Sequence, residues 1–317
     1  MSDEGFVTAF APASIGNVGV GFDMLGLAIA GAGDRVSARK ADHPGVRIRE
    51  VRAADGEMHP YLSTDATQNT ASIAAQSLWD EAGDDSGIEL IVHKGVPLQS
   101  GMGSSAASAV AAVVAVNALL DVPLRTEALL MHAVSGEKFA SGGLHADNVA
   151  PSLIGGMVLC PHVLWPDIIR LPVPDGVSSI LVHPELQVNT AESRKGLARG
   201  YTIDQWLTQQ GYLAGFVAAC AQNDIALLGR CLRDEIIEPQ RAASVPCFKA
   251  VQEAAIKAGA LGCSLSGSGP SMFALCRDAA AANVATAMQQ ACRKMGYECE
   301  LWTSGLDAPG AHVESAS

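Results

Sequence analysis

The stretch SGMGSSAASAVAAVVAVNALL, beginning at Ser100, leaves a folding chain few choices. Its Ala, Val and Leu are apolar on every side, so the helix that they form must be surrounded by protein or by lipid. From Ala106 to Leu120 the run has only 15 residues, contains Ser108 and Asn117, and ends at Asp121 and Pro123. That is short for a membrane span, and a buried core helix is the expectation. Two readings of the glycines and serines ahead of it stay open. Small residues let a buried helix approach its neighbours, and a bare helix start beginning at Ser104 or Ser105 offers about four unpartnered N–H groups to an anion.

The surrounding order supports a globular α+β chain. GIELIVHKGVPLQS places Ile88, Leu90 and Val92 on one face of a strand running into the glycine loop. Strands are also expected at GFVTAFAP, RVSARK, VRIREVR, MVLC, SSILVH, on both sides of the turn in ALGCSLSGSGPSMFALC, and at YECELW. Helices are expected at ASIAAQSLWDEAG, stopped by Gly83, through the Ala-rich run to Leu120, and at RTEALLMHAVSGEKFA. Others follow from about Ile203 behind a Thr202/Gln205 capping box, at DIALLGRCLRDEI, at PCFKAVQEAAIKAG, and at DAAAANVATAMQQACRKM. Prolines crowd the interval from Pro161 to Pro174, which divides the chain into 1–166 and 167–317, although Trp165 and Ile168 imply packing there.

Composition then excludes function classes. With 33 acidic against 21 basic residues and a formal charge of −12, the chain repels nucleic-acid backbones and anionic lipid, so neither is an expected partner. A phosphate ligand would have to be held by local dipoles, a metal ion and a few placed cations. Eight cysteines without a C-x-x-C pair read as buried thiols, and MSDEGFVTAF lacks the pattern of a secretory signal. The expected setting is the cytoplasm.

Three glycine-rich segments bear on chemistry. PLQSGMGSSAAS is not a Walker loop, since no Gly-Lys-Ser/Thr follows. It fits the dinucleotide fingerprint G-x-G-x-x-A, with Asp121 20 residues beyond Gly101, but a helix rather than a second strand leads to that acid. APASIGNVGVGFDMLGLAI sets Asn17 and Asp23 six apart in an irregular stretch that reads equally as an Asx-capped turn. SLSGSGPSMFAL is by itself an ordinary turn between apolar strands.

Taken in order, A-P-A-S-x-x-N-x-G-x-G-F-D, P-L-x-S-G-M-G-S-S-A-A-S and S-x-S-G-S-G-P-S resemble the GHMP family of small-molecule kinases across residues 11–276. The first segment, with GGLHADNVAPSLIGGM, NTAESRKGLA and EPQRAASVPCF, is similar to the branch whose acceptor is L-homoserine; Ser14, Ile15 and Met102 depart from the commoner residues. The resemblance implies a two-domain fold, an N-terminal mixed α/β domain carrying the phosphate loop and a C-terminal ferredoxin-like α/β sandwich. It implies ATP and Mg²⁺. The donor would lie against Pro97, Leu98, Gly101, Met102, Gly103, Ser104, Ser105 and Ala106, with Asn69 near the adenine, and Ser105 and Glu137 would hold the metal.

Homoserine carries a carboxylate, an ammonium and a hydroxyl, which call for a guanidinium fork, an acid and hydrogen-bonding groups. The resemblance implies that Arg194 and Arg241 clamp the carboxylate and Asp23 takes the ammonium, while Asn17, His145, Asn148 and Gly267 complete the pocket and Thr190 assists catalysis. Asn148 stands where mevalonate kinases place a catalytic Asp, and an amide cannot be a general base. The expectation is that Asn148 orients the hydroxyl while its proton leaves late or passes to the phosphate, with Asp147 as the rival base. Mevalonate, methylerythritol-pathway or shikimate acceptors, an NAD-dependent oxidoreductase and a non-catalytic binding protein stay open, as does a homodimer.

Overall fold

The computed structural model describes residues 5–83, 86–198 and 200–314. The chain begins with β1 (Val7–Gly16), β2 (Leu25–Ala41), β3 (Gly45–Arg52), α1 (Thr70–Ala82), β4 (Gly87–His93) and α2 (Ser104–Asn117). It continues through α3 (Leu130–Ser141), α4 (Val149–Ile154), β5 (Met157–Leu159), β6 (Ile169–Arg170), β7 (Val177–Pro184), α5 (Thr190–Lys195) and α6 (Ile203–Gln222). The remainder is α7 (Ile225–Cys231), α8 (Glu238–Arg241), α9 (Phe248–Lys257), β8 (Ala260–Leu265), β9 (Met272–Arg277), α10 (Ala281–Lys294), β10 (Cys299–Gly305) and β11 (His312–Val313).

Two sheets divide these strands. The first runs β11-β1-β2-β4-β3, with β5 and β6 attached to β2; β3 and β4 are parallel, joined by the α1 crossover, and the other pairings are antiparallel. The second runs β10-β7-β9-β8, all antiparallel, the 4-1-3-2 order of a ferredoxin-like sandwich, with α9 and α10 packed on it. β6 and β11, at 169–170 and 312–313, both pair into the first sheet. Trp165 and Ile168 pack against the first core, and the Trp165 indole donates to the Cys160 carbonyl at 2.9 Å.

α2 runs through the first core, flanked by α1, α3 and the sheet, and Ala106, Ala109, Val110 and Val113 are fully buried. That is the close-packed body that its composition requires. It ends at Asn117, three residues before Leu120, because the Asn117 side chain turns to the following loop: its amide donates to the Leu124 carbonyl at 3.0 Å and its carbonyl accepts from the Leu124 N–H at 2.8 Å. The helix expected at DIALLGRCLRDEI likewise stops early, at Cys231. Asp234 takes over there, its carboxylate accepting from the N–H groups of Ile236, Ile237 and Glu238 at the start of α8. The Thr202/Gln205 capping box and the stop at Gly83 are as expected.

Candidate active site

The three glycine-rich segments meet in one cavity of about 330 Å³. On one side is the start of α2. Its N-cap is Gly103, with no side-chain cap, and the first backbone bond runs from the Ala107 N–H to the Gly103 carbonyl at 2.8 Å. The amides of Ser104, Ser105 and Ala106 therefore precede the helical ladder and form an anion-receptive turn at the positive end of the helix dipole. Leu98, Gly101, Gly103, Ser104, Ser105 and Asn69 line the cavity. Pro97, Met102 and Ala106 do not; the Met102 and Ala106 side chains are buried in the two cores on either side. Asn69 caps α1, its carbonyl accepting from the Ala71 N–H at 3.0 Å.

Gly101 and Gly103 have φ of +75° and +67°. A Cβ on Gly101 would stand 2.4 Å from the Ser266 carbonyl, and one on Gly103 would stand 2.3 Å from the Ser14 hydroxyl. Glycine is required here because the other two motifs press against the loop, as well as for any ligand's clearance. The third motif is the fastener: Ser266 Oγ donates to the Gly101 carbonyl at 2.6 Å, the Ser271 N–H to the Ser100 carbonyl, and the Gly267 N–H to the Gly16 carbonyl. The Gly267 carbonyl in turn accepts from Asn17 Nδ2 at 3.0 Å and Arg241 Nη1 at 2.9 Å.

Opposite the cradle lies a charged pocket. Asn17 closes the first loop on itself, its carbonyl accepting from the Asp23 N–H at 3.0 Å, with both residues at positive φ. Asp23 forms a bidentate pair with Arg194, at 2.9 and 2.6 Å, and His145 Nδ1 is 3.6 Å from the same carboxylate. Arg194 reaches it from α5, whose start is capped by Asn189. Thr190 begins that helix and lines the cavity, its hydroxyl 3.2 Å from that of Ser268. Arg194 Nε, Arg241 Nε and His145 Nε2 are buried without a hydrogen-bond partner among the described residues. Buried unpaired nitrogens of this kind are costly unless a ligand completes them. Burial holds His145 below the usual histidine range, and burial and Arg194 hold Arg241 below that of a free guanidinium.

Between cradle and pocket, Ser105 Oγ donates to Glu137 at 2.5 Å and Ser14 Oγ donates to Asn148 Oδ1 at 2.9 Å. Asp147, 3% exposed, accepts from the Asn17 N–H at 3.2 Å. Burial, then the nearby carboxylates of Asp23 and Glu137, push its carboxyl up to about 7. Sequence reasoning missed two features. Phe22 carries both guanidinium groups, each 5.2 Å from its ring centre, and its adjacency to Asp23 was the only signal. Lys94 and Asp34 form a buried ion pair under the cradle; with Arg35 beside one and His93 beside the other, nothing in the local sequence marks it.

Comparison with known proteins places this geometry. Models described as GHMP kinases N terminal domain and GHMP kinases C terminal match residues 69–156 and 216–294. The chain is 42% identical over 306 residues to homoserine kinase of Xanthomonas campestris, covering 96% of this chain and 93% of that one. It is 39% identical over 320 residues to homoserine kinase of Chlorobium phaeovibrioides, covering 97% and 99%. A crystal structure of homoserine kinase from Cytophaga hutchinsonii superposes with a TM-score of 0.92 at 40% identity, covering 99% of both chains. Mevalonate kinase of L. major, at a TM-score of 0.68 and 15% identity, shares the fold. The chain belongs to the GHMP kinase family, within its homoserine kinase branch.

Proposed function

We propose that the chain transfers the γ-phosphoryl group of ATP to the side-chain hydroxyl of L-homoserine, giving O-phospho-L-homoserine and ADP, a step of threonine biosynthesis. The observation that carries this reading is the shape of one cavity: an uncapped helix start on one wall, and on the other an acid and two guanidinium groups with buried nitrogens left for a ligand. An amino acid's ammonium, carboxylate and side-chain hydroxyl match Asp23, the pair Arg194 and Arg241, and the groups of Asn148, His145 and Thr190. Mevalonate and shikimate have no ammonium to offer Asp23. The division of labour at 166/167, a cytoplasmic setting and a homodimer belong to the same reading. No helix among the described residues is long and apolar enough to cross a membrane.

Phosphoryl transfer asks for in-line positioning and charge neutralisation more than covalent help. The amides of residues 104–106 hold the donor's phosphates, and the Leu98, Asn69 and Leu62 side of the cavity takes the base. Ser105 and Glu137 are hard oxygen donors side by side. No group of three or more His, Cys, Asp or Glu placed for a metal occurs among the described residues, so this pair suits an ion held mainly by phosphates and water, as Mg²⁺ is. Ser105 and Glu137 would hold Mg²⁺, which supplies charge neutralisation on the phosphoryl oxygens. Asn148 orients the acceptor hydroxyl, whose proton leaves late or passes to the phosphate. A second reading gives that proton to Asp147, favoured by its carboxyl titrating near 7 in a buried position on the cavity wall.

The test is to incubate the purified chain with MgATP and L-homoserine and follow phosphorus NMR. A new O-phosphohomoserine resonance is expected. Turnover of mevalonate, shikimate or a methylerythritol intermediate in preference to homoserine would overturn the assignment.

A further inference from the structure

Beneath the phosphate cradle, Lys94 and Asp34 occupy a position where an apolar pair would ordinarily serve. Lys94 is 6% exposed and Asp34 fully buried. The Lys94 ammonium donates to the Asp34 carboxylate, to the Ser104 carbonyl at 2.9 Å and to Ser108 Oγ at 2.8 Å, which uses all three of its protons. Asp34 Oδ1 accepts from the Gly95 and Val96 N–H groups at 2.8 and 3.0 Å, and Oδ2 also accepts from Ser108 Oγ at 2.6 Å. Ser104 Oγ donates to the Val96 carbonyl at 2.9 Å. Three pieces of chain are thereby joined: β2, the linker after β4, and the first turn of α2.

Burying two charges costs more than an apolar contact of the same volume gives, so adhesion alone does not explain the pair. It does what apolar side chains cannot. It grips a carbonyl in the first helical turn and two linker amides at fixed angles, and so fixes where the amides of residues 104–106 point. Lys94 lines the cavity, but its ammonium is committed to the helix, which makes it a support and not a phosphate ligand. We infer that Lys94 and Asp34 are positioning residues for the phosphate donor, holding the start of α2 in its anion-receptive geometry. The inference rests on the reading of that helix start as the ATP site.

Single removal of either charge strands the other in the interior, so the decisive variant is the neutral, near-isosteric pair D34N/K94M. Ser108→Ala serves as a second, because it keeps both charges and suits a helix. Calorimetry with Mg²⁺ and a nonhydrolysable ATP analogue gives the dissociation constant, and steady-state kinetics give both KM values. In the folded D34N/K94M protein the analogue is expected to bind about 10-fold more weakly or worse, and in Ser108→Ala about threefold, with KM for homoserine within about twofold of wild type. Wild-type analogue affinity in the folded variants, or an equal loss for donor and acceptor, overturns the inference. Should wild type itself fail to bind the analogue, the ATP site is misassigned, and the inference falls with it. If D34N/K94M does not fold, Ser108→Ala decides.

Discussion

Replacing Arg194 by Met tests how the pocket recognises an amino acid. In the structure the guanidinium is already occupied, paired bidentately with Asp23, and both side chains are a little over a quarter exposed, at 29% and 28%. On the proposed function, binding homoserine is therefore an exchange. One internal ion pair is given up, and two are formed, carboxylate to Arg194 and ammonium to Asp23, a net gain of one. A hydrogen bond to a charged group is worth about 1.5–3 kcal/mol, and partial exposure favours the lower half of that range. At about 1.4 kcal/mol per factor of ten, Arg194→Met should lower kcat/KM for homoserine about 10- to 30-fold, with KM for ATP within about twofold. The sharper readout is a ratio. 3-Aminopropan-1-ol is homoserine without its carboxylate; wild type should prefer homoserine strongly in an ADP-release assay, and the variant, with Arg241 alone left for the carboxylate, should show that preference reduced about 10- to 30-fold. An unchanged preference, or a loss that falls on ATP instead, refutes the exchange and removes Arg194 from the carboxylate site.

Three further outcomes concern the groups between cradle and pocket. Asp147 has a folded pKa near 7 against 3.8 for an ordinary Asp, so its contribution to stability is complete below about pH 4 and is lost as pH rises through 7. Thermal melts of Asp147→Asn should gain on wild type from about pH 4 to about pH 7 and level off above, and a constant offset across that range would contradict the shift. In the same variant turnover should persist; abolished turnover with acceptor binding intact, while Asn148→Ala turns over normally, would make Asp147 the base. Glu137→Gln keeps a hydrogen bond to Ser105 but removes a charge, and should raise the Mg²⁺ concentration for half-maximal rate about 10- to 100-fold, read from a metal titration at saturating ATP. An unshifted titration would take Glu137 out of the metal site.

What was legible in the sequence is what short-range physics controls. The Thr202/Gln205 box, the glycine stop at 83 and the strand-loop-helix order around Ser100 are set within a few residues, and the structure has them. Helix ends decided by a side chain reaching elsewhere were misjudged, as at Asn117 and Asp234, because a polar residue inside a periodic run gives no sign of which backbone groups it will meet. The ion pair of Lys94 and Asp34 is separated by 60 residues, and each residue read alone is an ordinary surface charge. Phe22 has no role visible in its motif, since stacking two arginines from α5 and α8 is a fact of tertiary structure.

The spacing of the three motifs acquires a physical meaning only in the assembled site. SLSGSGPS contributes few side chains to the cavity, yet Ser266 fixes the Gly101 carbonyl of the donor loop while Gly267 fixes Gly16, Asn17 and Arg241 of the acceptor side. On the proposed function, donor and acceptor would both be registered against this single turn of backbone. In-line transfer tolerates little misplacement between nucleophile and phosphorus, so a shared rigid turn serves the reaction better than two well-formed but independent half-sites. The same packing explains why Gly101 and Gly103 admit no side chain: a Cβ on Gly101 would stand 2.4 Å from the Ser266 carbonyl and push the glycine loop off that turn, and one on Gly103 would stand 2.3 Å from the Ser14 hydroxyl and push it off β1.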